Sequence, residues 1–322
     1  MRTLKTRAAQ SEPSSGDAEG TLTSVIDALH AASARFPVAA ERAAARRPLP
    51  SRESVTAILD DLRAVLFPAH FDAPPFSSAN ARYAIGARLD RVERTLSEQA
   101  WRGFAFVCDH VGNRDKCGPC AERARDVARA LVTRLPAVRA LLESDVRAAY
   151  EGDPAATFID ETLLCYPGVA AIVQHRIAHE LHRLSVPVVP RIVADLSRAS
   201  TGIDIHPGAE IGASFFIDHG TGVVIGETCA IGARVRIYQG VTLGARGFPS
   251  DDDGVPIKGL PRHPIVEDDV VIYAGATILG RITIGRGATI GGNVWLTRDV
   301  APGARVTQAQ SRQHTFEGGS GI

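Results

Sequence analysis

Hydrophobic residues along this chain keep two different periods. Up to about residue 200 they recur at helical spacing. In SRESVTAILDDLRAVL, Val55, Ile58, Leu59, Leu62 and Leu66 share one face, and Ser51 after Pro50 supplies a start signal. In AERARDVARALVTRL the face is Val127, Leu131 and Leu135. Pro136 is expected to end that helix, because proline has no N–H and its ring collides with the preceding turn. A further helix is expected through Val146 and Tyr150 as far as EGDPAA, and another over AAIVQHRIAHELHRL. Residues 21–200 therefore read as an all-helical domain, and the polar residues 1–20 as a disordered tail.

From Ile205 the period changes to six. Apolar residues at 205, 211 and 217 are followed, after a two-residue offset, by 225, 231, 237 and 243. Past a polar interruption the rhythm returns at Val266, Ile272, Ile278, Ile284, Ile290 and Leu296, with Val270, Ala276, Ile282, Ala288, Val294 and Val300 four residues after each. One aliphatic and one small or apolar residue per hexad describe short strands wound around a triangular prism, three hexads to a coil. A sandwich would instead show period two with frequent turn signals. The expected fold class is α+β: a helical domain followed by a parallel β-helix over residues 201–306, left-handed as in known hexapeptide-repeat families. ARGFPSDDDGVPIKGLPRHP holds no hexad and reads as a loop thrown out from the prism at about 245–262. Residues 307–322 are too Gly-rich to fold alone and read as a flexible tail.

Composition narrows the function. Thirty-six basic residues balance thirty-six acidic ones, so there is no field to attract nucleic acid or an anionic membrane. No apolar run is long enough to span a bilayer. MRTLKTRAAQ lacks the apolar core of a secretory signal, and five cysteines form no paired framework, so a reducing, cytoplasmic setting is expected.

Chemistry enters where titratable residues interrupt the prism. FIDHGTG sets Asp218 beside His219, and Asp204 lies slightly less than one coil earlier, so Asp204 and His219 can stack at one corner. A neutral imidazole is a usable general base, and a carboxylate on its other nitrogen fixes its tautomer. Arg262 and His263 stand where the coils resume and can fork onto a carboxylate. These five residues form a candidate site, the bland alternative being solvated corner residues. CDHVGNRDKCGPC offers Cys108, His110, Cys117 and Cys120 as a zinc set, a redox pair or neither, and the sequence leaves that open. His175, His179 and His182 share a helical face, which reads as packing rather than a metal site.

DIHPGAEIG, IDHGTGVVIGET, YQGVTLGA, RHP and GGNVWLT, with DVRAAYEGDPAA and YPGVAAIVQHRIAHEL in the helical half, resemble the serine O-acetyltransferase family. The similarity runs from about Asp145 to Val306 and fades over the first 140 residues. The resemblance implies that His219 takes the proton of the L-serine hydroxyl with Asp204 as its partner, and that acetyl passes directly from acetyl-CoA without an acyl-enzyme. It assigns Asp153 and Asp218 to the serine amino group, and Arg262 and His263 to its carboxylate. It places coenzyme A in a groove between neighbouring subunits beside Gly244, Ala245, Ala274 and Gly292, in a homotrimer or a dimer of trimers. Thr289 stands where enterobacterial-type relatives have a Lys facing a coenzyme A phosphate. No metal is implied. The end of QHTFEGGSGI resembles the tail by which the family enters O-acetylserine sulfhydrylase, with Ile322 presenting its side chain and carboxylate.

Two competing readings exist. A zinc carbonic anhydrase of the β-helix type would use His206, His219 and His263 as ligands across a subunit interface. A non-catalytic scaffold that regulates the sulfhydrylase through its tail would bind without turnover.

Overall fold

In the computed structural model, which describes residues 15–35, 47–71, 78–110 and 119–308, helices give way to strands between Thr201 and Asp204. The helices are α1 (Ser15–Arg35), α2 (Arg52–Leu66), α3 (Pro68–Phe71), α4 (Ser78–His110), α5 (Cys120–Gly152), α6 (Ile159–Cys165), α7 (Pro167–Arg183) and α8 (Val189–Thr201). In α2 the Ser51 hydroxyl accepts from the Ser54 N–H at 3.1 Å, capping the helix where the sequence signals a start. Val55, Ile58, Leu62 and Leu66 are buried on its inner face.

Two expectations need correction. Helix α1 begins at Ser15, inside the segment 1–20 read as disordered. Pro136 does not end its helix either: α5 runs unbroken through it. Pro136 lies on the exposed face, so the Val132 carbonyl it leaves without a partner can turn to water, while Leu131, Leu135, Val138 and Leu142 stay buried on the other side. Packing of that face outweighs the proline's local cost.

The strands form three parallel faces of a prism. Face one stacks β1 (Asp204–Ile205), β4 (Val224–Ile225), β7 (Thr242–Gly244), β10 (Thr277–Leu279) and β13 (Trp295–Leu296). Face two stacks β2 (Glu210–Ile211), β5 (Ala230–Ile231), β8 (Ile265–Val266) and β11 (Thr283–Ile284). Face three stacks β3 (Phe216–Ile217), β6 (Arg236–Ile237), β9 (Val271–Ile272), β12 (Thr289–Ile290) and β14 (Arg305–Val306). The hexad aliphatics fill the interior: Ile225, Ile237, Leu243, Ile272, Ile278, Ile284 and Ile290 are all buried, while Ile211 and Leu296, near the two ends, are half-buried. The excursion between β7 and β8 folds as a hairpin, with an antiparallel bridge between Ser250 and Pro256.

Asp204 pairs with Val224 and Val224 with Thr242, so the first coil is two residues longer than the second. The extra residues lie in the corner from Asp218 to Val223.

A buried ion pair rivets the helices to the first coil. Arg176 of α7 donates to both oxygens of Asp145 of α5, at 2.6 and 2.9 Å, and also to the carbonyls of Ile211 and Gly212. Asp145 accepts in turn from the Phe215 N–H at 2.9 Å, and Ser144 Oγ from the Ser214 N–H at 2.9 Å. These bonds fix the end of α5, and with it Asp153, against the prism.

Candidate functional site

The corner between faces three and one carries Asp218 and His219. His219 has φ 58°, and Gly220 and Gly222 follow at 91° and 79°, so three of the four residues from His219 to Gly222 have backbones of left-handed sense. A Cβ on Gly220 would lie 2.5 Å from Ile203 Cδ1, so the chain closes onto the coil below only with glycine there. Gly222 donates to the Gly202 carbonyl and Asp204 to the Val223 carbonyl, each at 2.9 Å, which lays this corner on the Gly202–Asp204 segment. Asp218 is buried and the His219 side chain is 71% exposed, with Nδ1 3.8 Å from Asp218 Oδ1. No hydrogen bond joins His219 to Asp204 in this structure, although the register sets their segments on the same corner.

Asp153 reaches this corner from the end of α5. It accepts from the Tyr166 hydroxyl at 2.6 Å and from the Ala155 N–H at 2.8 Å. The Tyr166 bond, with further help from Arg236 and His219, holds the Asp153 carboxyl below its ordinary range. The same bond pushes the Tyr166 phenol up to about 12, so it stays a donor. Asp218 Oδ2 accepts from Arg236 Nη2 at 2.9 Å. The Arg236 guanidinium lies over the Phe216 and Tyr238 rings, 5.1 and 4.8 Å from their centroids, and Tyr238 stacks on Tyr273.

Arg262 and His263 occupy the next corner, between faces one and two. Arg262 Nη2 donates to Glu227 Oε2 at 2.6 Å. His263 Nδ1 receives the Thr228 N–H at 3.1 Å; a backbone N–H only donates, so the neutral ring carries its proton on Nε2. Burial, then the Arg262 charge, holds the His263 pKa below its ordinary value. A Cβ on Gly226 would fall 2.2 Å from His263 Nε2, so the ring needs that glycine.

The structure therefore brings Asp153, Asp218 and His219 together and sets Arg262 and His263 apart from them. The charged groups acting on Asp153 are Arg236 and His219; those acting on His263 are Arg262, Glu227 and Arg281. The small residues divide in the same way. Ala274 and Gly292 lie above the His219 corner, where Asn293 donates to the Ala274 carbonyl at 2.8 Å. Gly244 closes β7 at the Arg262 corner, followed by Ala245, and a Cβ on it would lie 2.9 Å from Leu279 Cδ2. Thr289 is paired with Arg305 across β12 and β14.

Tyr166, Arg236, Glu227 and Thr228 escape the sequence reading. Tyr166 stands in a motif that was legible, YPGVAA, and Arg236 follows from register, since Phe216 pairs with it one coil on. The histidine stripe packs α7 on the first coil: His179 Nδ1 lies 2.9 Å from the Pro207 carbonyl, and His182 meets His206 edge-on. His206 and His263 belong to one corner and His219 to another, so one chain does not gather the three histidines of the zinc reading. Among the described residues no group of three or more His, Cys, Asp or Glu side chains is placed to hold a metal ion. Cys108 and Cys120 approach to 3.7 Å, sulfur to sulfur; Cys117 and Ile322 lie outside the described residues, as does the His110 side chain. No described helix is long and apolar enough to cross a membrane.

Residues 263–298 match the bacterial transferase hexapeptide (six repeats) family, which places the prism among the hexapeptide-repeat transferases and fits a left-handed β-helix. The chain is 56% identical over 276 residues to a plasmid serine acetyltransferase of Synechococcus elongatus, covering 85% of this chain and 86% of that one. It is 48% identical over 165 residues to a serine acetyltransferase of Mycobacterium tuberculosis, covering 51% and 68%. Among solved structures it is similar to serine acetyltransferase isoform 3 of Entamoeba histolytica in complex with cysteine, with TM-score 0.67, 33% identity, and 81% and 84% of the two chains covered. It is also similar to the Neisseria gonorrhoeae serine acetyltransferase in complex with serine, with TM-score 0.51, 28% identity, and 80% and 97% covered. The chain belongs to the serine acetyltransferase family and is an acyltransferase. The Synechococcus similarity also reaches into the first 140 residues, beyond where the motifs alone carried it.

Proposed function

We propose that this protein transfers acetyl from acetyl-CoA to the hydroxyl of L-serine, giving O-acetylserine for cysteine synthesis. The observation that carries the reading is the split of the polar groups: two carboxylates beside an exposed imidazole at one corner, a guanidinium and an Nε2–H donor at the next. Serine is a short zwitterion and needs anions at one end and a fork of donors at the other. Asp153 and Asp218 of one chain take its ammonium, and Arg262 and His263 of a neighbouring chain take its carboxylate, in a homotrimer or a dimer of trimers.

His219 removes the hydroxyl proton as the serine oxygen attacks the thioester carbonyl. The tetrahedral intermediate collapses, the carbon–sulfur bond breaks, and the proton passes from His219 to the coenzyme A thiolate. Asp204, one coil below, closes on the other ring nitrogen when substrate covers the corner, since catalytic hydrogen bonds often tighten only in the complex. No acyl-enzyme is needed once both substrates are held in line. The acetyl-CoA arm runs between chains, along Ala274 and Gly292 of one and Gly244 and Ala245 of the other. Cysteine, with a thiol in place of the hydroxyl, fits the serine position as an inhibitor. The C-terminal tail ending at Ile322 binds O-acetylserine sulfhydrylase.

Thiol release from acetyl-CoA, measured with a panel of amino acids and sugars, tests the reading. L-Serine is expected as the preferred acceptor. Preference for a sugar, or CO₂ hydration with stoichiometric zinc, would overturn it.

The Asp153 shift yields a pH prediction. A lowered pKa keeps Asp153 ionised as pH falls, so ammonium binding survives into acid. Tyr166→Phe removes the largest cause of the lowering, and the acid limb of serine binding, read as Kd against pH so that the general base does not enter, should move to higher pH. An unmoved limb would exclude Asp153 from acceptor binding.

A further inference from the structure

The buried Asp218 carboxylate is held by Arg236, its one hydrogen-bond donor among the described residues. Arg236 is itself fixed by stacking over Phe216 and Tyr238, and its Nε is buried without a hydrogen-bond partner. The stack also ties the two halves of the anionic pair together: a Cβ on Gly152 would lie 2.8 Å from Phe216 Cδ1, and Gly152 directly precedes Asp153.

We propose that Arg236 is the positioning residue of the amine subsite, holding the Asp218 carboxylate turned toward the substrate, and so setting affinity for the acceptor rather than the rate of transfer. This rests on the serine reading above. Two carboxylates facing one ammonium carry one negative charge too many, and Arg236 offsets it. Removing the guanidinium has two opposed effects. It lifts a repulsion on the ammonium, which nearby solvent already screens. It also leaves a buried carboxylate without a donor and beside another carboxylate, a state Asp218 escapes by swinging away from the substrate. The second effect is the larger, so serine binding weakens. A Lys keeps the charge but neither the planar fork nor the stacking.

The test is steady-state kinetics of the full-length protein with Arg236→Gln and Arg236→Lys. The glutamine variant should raise KM for serine tenfold or more while kcat and KM for acetyl-CoA stay within about twofold of wild type, with lysine in between. A buried carboxylate left without its donor also costs stability, so the kinetics are read at a temperature where the variant is fully folded. An unchanged or lower serine KM would overturn the proposal, as would a rise matched in KM for acetyl-CoA. Failure of the wild-type protein to acetylate serine would instead defeat the functional reading itself.

Discussion

Replacing His219 with alanine is expected to lower kcat for acetyl transfer by roughly 10²- to 10⁴-fold, the usual contribution of a positioned general base. The loss would be chemical, because a side chain 71% exposed contributes little packing to the fold. The backbone is the one structural concern, since His219 sits at φ 58°. Asparagine tolerates that conformation better than alanine, so His219→Asn separates strain from chemistry. Both variants should bind acetyl-CoA as the wild type does, with unchanged oligomeric state. Activity within a few-fold of wild type in either would remove His219 from the role of base.

The largest effect on stability is expected from Asp145→Ala. Burial pushes the Asp145 carboxyl up and Arg176 draws it back down, so the pair is held by mutual compensation. Truncating the acid strands a guanidinium that is 6% exposed and orphans the Phe215 N–H, which should cost about 3–5 kcal/mol. Denaturant unfolding measures that cost. The double variant Asp145→Ala with Arg176→Met should recover much of it, because a buried pair replaced by apolar groups is often nearly neutral. Because the rivet also sets Asp153 against the prism, the single variant should lose serine affinity under conditions where it is still folded. A loss under about 1 kcal/mol would show that the helices and the prism are joined some other way.

The prism was legible because period six has no competing explanation and because each hexad residue has one inward direction. The two-residue offset between Ile217 and Ile225 was legible too, and in the structure it is the enlarged corner that carries His219. A break in an otherwise strict repeat marked the chemistry. Pro136 misled because its local rule is real but the packing of Leu131, Leu135, Val138 and Leu142 is stronger. Arg236 and Tyr166 escaped for a different reason. Neither lies near Asp218 or Asp153 in sequence, and only the coil register and the α5–α7 packing bring the pairs to 2.9 and 2.6 Å. Asp218, Arg262 and His263 stood out where titratable residues interrupt the prism, whereas Asp153 and the serine-binding roles were carried by family motifs alone; that these residues occupy two corners was not readable from spacing.

That separation makes the central claim testable without a ligand complex. If one serine spans His219 and Asp218 of one chain and Arg262 of its neighbour, His219→Ala and Arg262→Ala chains, each nearly inactive alone, should regain activity when assembled together. Random mixing in equal amounts would leave about a quarter of the sites with both wild-type residues, and activity should approach that fraction. Activity no greater than the average of the two parents would mean that all these residues act within one chain, and the shared site would be wrong.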